Sequence, residues 1–101
     1  MRRRRASPAS WSHDLVPRIC AFYGIVITMY WQDHPPAHFH ASYGGHVAEI
    51  AIATLELIDG WLPPRALRLT LEWAAQHQDE LNENWTRARA HDRLHAIDPL
   101  P

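Results

Sequence analysis

The dipeptide Gly44-Gly45 constrains this chain most, because it separates two runs, His38 to Tyr43 and His46 to Ala53, that read as strands. Both central residues of the favoured two-residue hairpin turn need positive φ, which glycine adopts without a steric penalty. Counting outward from the turn sets the register. Tyr43 falls opposite His46, Ala41 opposite Ala48 and Phe39 opposite Ile50 on the core face; Ser42 meets Val47, His40 meets Glu49 and His38 meets Ala51 on the other. His38, His40 and Glu49 therefore share one surface.

On either side of this hairpin the pattern changes. Ile19 to Trp31 is dense in β-branched and aromatic residues and reads as one principal strand, with Ile19, Ala21, Tyr23, Ile25, Ile27, Met29 and Trp31 on one face. Gly24 marks a bulge or a close backbone approach within it. Gln32 to Ala37, with Pro35-Pro36, is a loop, and Leu55 to Ile58 is a short fourth strand ended by Asp59-Gly60. Pro63-Pro64 opens a helix that runs to about Ala90. Its apolar stripe is Leu67, Leu71, Ala74, Leu81, Trp85 and Ala88, with Gln78 as one polar gap. Such a helix would be about 40 Å long, wider than the domain, so a bend is expected, and Gln76 to Asp79 is its weakest stretch. Leu94 to Ile97 adds a short terminal edge strand. The expected fold is α+β: a small antiparallel sheet of three to four strands packed by one long helix in the C-terminal half, forming a single domain over residues 18–101.

With 101 residues there is room for one core, and 47% hydrophobic with 21% charged residues is ordinary globular composition. Cys20 is the one cysteine, which excludes an internal disulfide and a multi-cysteine zinc site and fits a reducing cytoplasm. The longest apolar stretch, Ile25 to Trp31, is about a third of the ~20 residues that a bilayer span requires. Arg2 to Arg5 supply four of the ten basic residues, and there is no lysine. Ala6 to Val16 carries Ser, His, Asp and Pro rather than the apolar run of an export signal. Residues 1–17 read as a disordered tail or a mis-annotated start.

Three groups carry candidate chemistry. Asp33, His34, His38, His40 and Glu49 combine imidazole and carboxylate, which suits a divalent transition metal such as Zn, Fe, Ni or Cu. Without a metal, His38, His40 and Glu49 can serve as general acid and base. The plain alternative is a solvated polar sheet face with a cross-strand His–Glu pair. Arg65 and Arg68 lie in the first helical turns, where cations oppose the macrodipole and an anion, such as a phosphate of nucleic acid or an acidic partner, would offset them. Their alternative is a decorated surface, with Arg68 paired to Glu72 as Arg87 is to Glu83. Trp73 and Trp85 read as core anchors, whereas Trp61, beside Asp59-Gly60, is a candidate partner interface. His77, His91 and His95 receive no role.

Phe22-Tyr23-Gly24-Ile25, Met29-Tyr30, Asp33-His34, the two prolines, His38-Phe39-His40-Ala41 and Tyr43-Gly44 resemble the domain-of-unknown-function 4160 family of small bacterial proteins. Leu62-Pro63, Arg65-Ala66-Leu67-Arg68-Leu69, Leu71-Glu72-Trp73 and Asn84-Trp85 extend the likeness over about residues 16–100. The resemblance implies no assigned activity. It does imply a second small protein encoded alongside, in a layout similar to toxin–antitoxin modules. Three positions depart from the family: the prolines stand one position early, Leu55 replaces a turn glycine, and Val16-Pro17 replaces an initial Met-Pro. A valine codon can initiate translation in bacteria, so synthesis is expected to start at position 16, leaving six basic against ten acidic residues.

The leading expectation is a small cytoplasmic interaction or regulatory module, one half of a two-protein toxin–antitoxin-like system, with a small protein as its partner. The alternative is a minimal metal-assisted or histidine-based hydrolase or nuclease using His38, His40 and Glu49. A second alternative is nucleic-acid binding without catalysis through Arg65 and Arg68. Whether the chain is an enzyme stays open at this point.

Overall fold

The computed structural model describes residues 17–101. Residues 1–16 of the expected N-terminal tail, and with them the start at position 16, lie outside those described. The chain forms strands β1 (Arg18–Phe22), β2 (Ile25–Thr28), β3 (His38–Tyr43), β4 (His46–Ala51) and β5 (Leu57–Gly60), then helices α1 (Pro64–Gln76) and α2 (Gln78–Arg89). The strands form one antiparallel meander in sequence order, so each pairs with its chain neighbour. The fold is α+β, with five strands and two helices rather than three to four strands and one helix.

The central hairpin follows its glycines. All six pairs from His38↔Ala51 to Tyr43↔His46 form in the expected register, and Gly44 and Gly45 turn at φ 56° and 85°. The β4 strand ends at Ala51, two residues earlier than the pattern suggested.

The segment read as one strand is instead a hairpin. Tyr23 and Gly24 turn at φ 50° and 80°, the left-handed pair that a tight hairpin uses, and β1 folds back on β2. A tyrosine in the first turn position hid the turn, because it carries no positive-φ signal. The reversal sets Phe22 opposite Ile25, so an even-numbered residue joins the odd-numbered Ile25 and Ile27 in the core. A register shift between Arg18 and Cys20 returns Ile19 to that side, while Ala21 and Tyr23 are exposed. Met29 is buried beyond the end of β2, and Trp31 lies in a turn.

The fourth strand of the expectation is β5, shifted by two residues, so that Asp59 and Gly60 belong to it rather than end it. Leu55 lies in the preceding turn at φ 61°, in the conformation that a glycine would adopt freely. Gly60 cannot be replaced in kind: it has φ 81°, and a Cβ there would lie 2.0 Å from Val47 O.

The long helix breaks at His77, within the stretch expected to be weakest. Gln78, the polar gap in the stripe, donates from Nε2 to Ile52 O at 2.7 Å and pins the break to the end of the sheet. The buried helical face is Ala66, Thr70, Trp73, Ala74, Leu81, Asn84 and Ala88. It is rotated from the expected stripe, and Leu67, Leu71 and Trp85 flank it half-buried. Trp73 sits at its centre, its ring 5.4 Å from Phe22 and 5.9 Å from Phe39. No strand forms at Leu94 to Ile97. That segment crosses the open side of β1 in irregular conformation, with Ile97 N–H donating to Ile19 O at 2.9 Å.

Candidate functional site

Alternation along β3 puts His38 and His40 on one face, and the β3–β4 register puts Glu49 directly across from His40. What brings the acid loop over them is α2. Gln32 N–H donates to Ala88 O at 3.3 Å, and the Arg89 guanidinium donates to Asp33 O at 3.2 Å, so the last turn of α2 holds the loop backbone. Asp33 then points at both histidines. Its Oδ2 lies 3.0 Å from His38 Nε2 and 3.2 Å from His40 Nε2, and its Oδ1 accepts from His34 N–H at 2.8 Å.

The histidine face is enclosed, unlike the solvated sheet face of the plain alternative reading. The His38 side chain has no exposed surface, and His40 is nearly as enclosed. Trp85 of α2 packs on His38 with ring centres 5.3 Å apart, and Tyr30 meets His40 edge-on at 4.5 Å. The expected cross-strand His–Glu contact is also redirected: the contact formed is the diagonal one, Glu49 Oε1 to His38 Nε2 at 3.6 Å. His34 stays outside, its side chain 71% exposed, although its ring stacks at an angle 5.3 Å from His38.

The tautomer of His38 follows from its partners. Its Nδ1 lies 2.8 Å from Pro36 O, a carbonyl that can only accept, so Nδ1 carries a proton. In the neutral ring Nε2 is then a lone pair, and it faces the oxygens of Asp33 and Glu49. Burial raises the Asp33 carboxyl, but the hydrogen bond from His40, the His34 N–H and the charges of His38 and His40 outweigh it and hold Asp33 below its ordinary value. The space between the ring and the carboxylates suits a proton on Nε2 or a metal ion. Two ligand sets converge within 4.8 Å, Asp33 with His38 and His40, and His34 with His38 and Glu49.

A family model for a domain of unknown function, DUF4160, matches residues 24–86. The chain belongs to the DUF4160 family. No curated protein and no solved structure matches it. The DUF4160 match runs from the turn before β2 to Trp85 and Thr86 of α2, so it contains the whole Asp33, His34, His38, His40 and Glu49 cluster. It leaves out β1 and the C-terminal segment that crosses β1.

The other candidates lie apart from this cluster. Arg65 and Arg68 are exposed in the first turns of α1, which has no side-chain cap and no acidic residue in its first turn. Arg65 borders a shallow cavity with Tyr23, Leu69 and Glu72. Arg87 pairs with Glu83 at 3.2 Å, whereas the expected Arg68–Glu72 pair is not found among the described residues. Trp61 is 52% exposed at the end of β5, its ring edge-on to His46 at 4.8 Å. Sequence reasoning missed Tyr30, Trp85, Arg89 and the Pro36 carbonyl as parts of the histidine site. A backbone carbonyl leaves no signal in a sequence, and the aromatics read equally well as core.

Proposed function

We propose that the chain is a small cytoplasmic interaction module, one half of a two-protein toxin–antitoxin-like bacterial system. The observation that carries this reading is the β5 edge. All four β5 residues are exposed, and Leu57 and Ile58 of β5, Val47 of β4 and the adjoining Trp61 are exposed large hydrophobic side chains. An open edge strand can take another chain by main-chain pairing, and an exposed tryptophan beside it is a frequent energetic anchor. No helix among the described residues is long and apolar enough to cross a membrane. The test is to co-express the chain with the small protein encoded beside it and analyse the product by size-exclusion chromatography. A complex that loosens by about thirtyfold with Trp61→Ala supports the reading, and separate elution of the two wild-type proteins overturns it.

A second reading, a minimal metal-assisted or histidine-based hydrolase or nuclease, is favoured by the convergence of His38 and His40 on one carboxylate oxygen. Its test is nucleic-acid cleavage by the wild-type protein against a His38→Ala, His40→Ala double variant. Equal or absent cleavage rejects it.

A further inference from the structure

We propose that Asp33 Oδ2, His38 Nε2 and His40 Nε2 form a binding site for a single divalent transition metal ion of the Zn(II) class, with a solvent-facing position left for a further ligand. The inference does not depend on either functional reading, since a bound ion serves an interaction module as well as an enzyme.

The first support is geometric. Ligands set tetrahedrally at about 2.0 to 2.2 Å from a zinc ion are about 3.3 to 3.6 Å apart. Here the Asp33 oxygen is 3.0 and 3.2 Å from the two nitrogens. All three ligand atoms lie within 4.8 Å of one another, close enough to converge on one ion.

The second support is the arrangement behind the ligands. A metal-bound imidazole characteristically donates its other N–H to a backbone carbonyl or carboxylate, which fixes the tautomer and aims the lone pair. His38 Nδ1 does this with Pro36 O. A ligating carboxylate is itself held by hydrogen bonds, and the second oxygen of Asp33 accepts from His34 N–H. The result is a fully buried imidazole whose Nε2 is aimed at the Asp33 carboxylate. Nitrogen and oxygen donors without thiolate suit Zn(II), Co(II) or Ni(II) rather than Cu(I).

The competing occupant is a proton on His38 Nε2, and the experiment separates the two. The full chain is stripped with chelator, then titrated with Zn(II) by calorimetry and with Co(II) by visible absorption. One ion per chain is expected, with the strong ligand-field bands of four-coordinate Co(II) and a rise in Tm on Zn(II) addition. Asp33→Asn, nearly isosteric, and His40→Ala should each weaken binding by more than the roughly 10- to 100-fold that losing an outer partner costs. Pairing His77→Ala with His95→Ala, which removes imidazoles near Glu80 and Glu83, should leave binding unchanged. Should His40→Ala not fold, the wild-type Co(II) spectrum and Asp33→Asn still decide. The proposal fails if the wild-type chain shows no one-to-one binding, if Co(II) keeps the weak spectrum of its hydrated ion, or if binding survives Asp33→Asn.

Discussion

Asn84 holds His95 by both of its backbone groups: its Nδ2 donates to His95 O and its Oδ1 accepts from His95 N–H, each at 2.8 Å. The amide is buried in α2, so it replaces a strand neighbour for an otherwise irregular segment. Asn84→Ala should cost about 1 to 3 kcal/mol, because it removes two hydrogen bonds and leaves the partners unmatched. Urea unfolding should show a lower midpoint at unchanged slope; an unchanged midpoint would mean that the C-terminal segment contributes nothing to stability.

The end of α2 offers a gain. Asp92 N–H donates to Arg87 O at 2.8 Å and His91 N–H to Ala88 O at 3.2 Å, the paired bonds of a helix terminus that needs a left-handed residue at position 91. His91 takes that role at φ 59°, with a Cβ that glycine would not carry. His91→Gly should raise stability by about 0.5 to 1 kcal/mol, seen as a Tm increase. A lower Tm would show that the His91 ring, 6.3 Å from Trp31, contributes more than the backbone strain costs.

Gly60→Ala should detach β5. The added Cβ meets Val47 O at 2.0 Å in a backbone region that alanine disfavours, so the β4–β5 ladder must open. Hydrogen exchange should then speed up at β5 amides while β3 amides keep their protection. Uniform loss across the sheet would mean that β5 is integral to the core. The same variant should lose any complex formed through this edge.

Burial, reinforced by the charge of Asp98 and opposed by hydrogen bonds from Ala21 and Trp73, pushes the Cys20 thiol above its ordinary value. Alkylation of the folded protein at about pH 8 should be slower than in urea, since the thiolate is the nucleophile. The folded state binds this proton more tightly than the unfolded one. Its contribution is therefore present below the ordinary thiol value and is lost as pH rises through the raised one. Stability that climbed across that alkaline range would contradict the assignment.

How much was legible differs element by element. Around Gly44-Gly45 the glycines and the alternation agree, and the register they imply is the one observed. At Tyr23-Gly24 the same turn was missed, because tyrosine in a left-handed conformation looks like any strand residue. The helix break was legible as a weak stretch, but not its anchor, since Gln78 bonds to Ile52 O across 26 positions of sequence. The candidate site divides the same way. His38, His40 and Glu49 were placed by strand period, whereas their burial under Trp85 and Tyr30 was not.

By itself, then, the sequence determined what short-range stereochemistry controls: a glycine turn, the two-residue period of a pleated strand, and so two histidines side by side with a glutamate across from them. Only the tertiary structure decided that this face is closed and that Asp33 enters it. That depends on the end of α2 gripping the loop at Gln32 and Asp33, contacts between residues 56 positions apart. No local pattern encodes them, because they exist only once both helices have packed on the sheet.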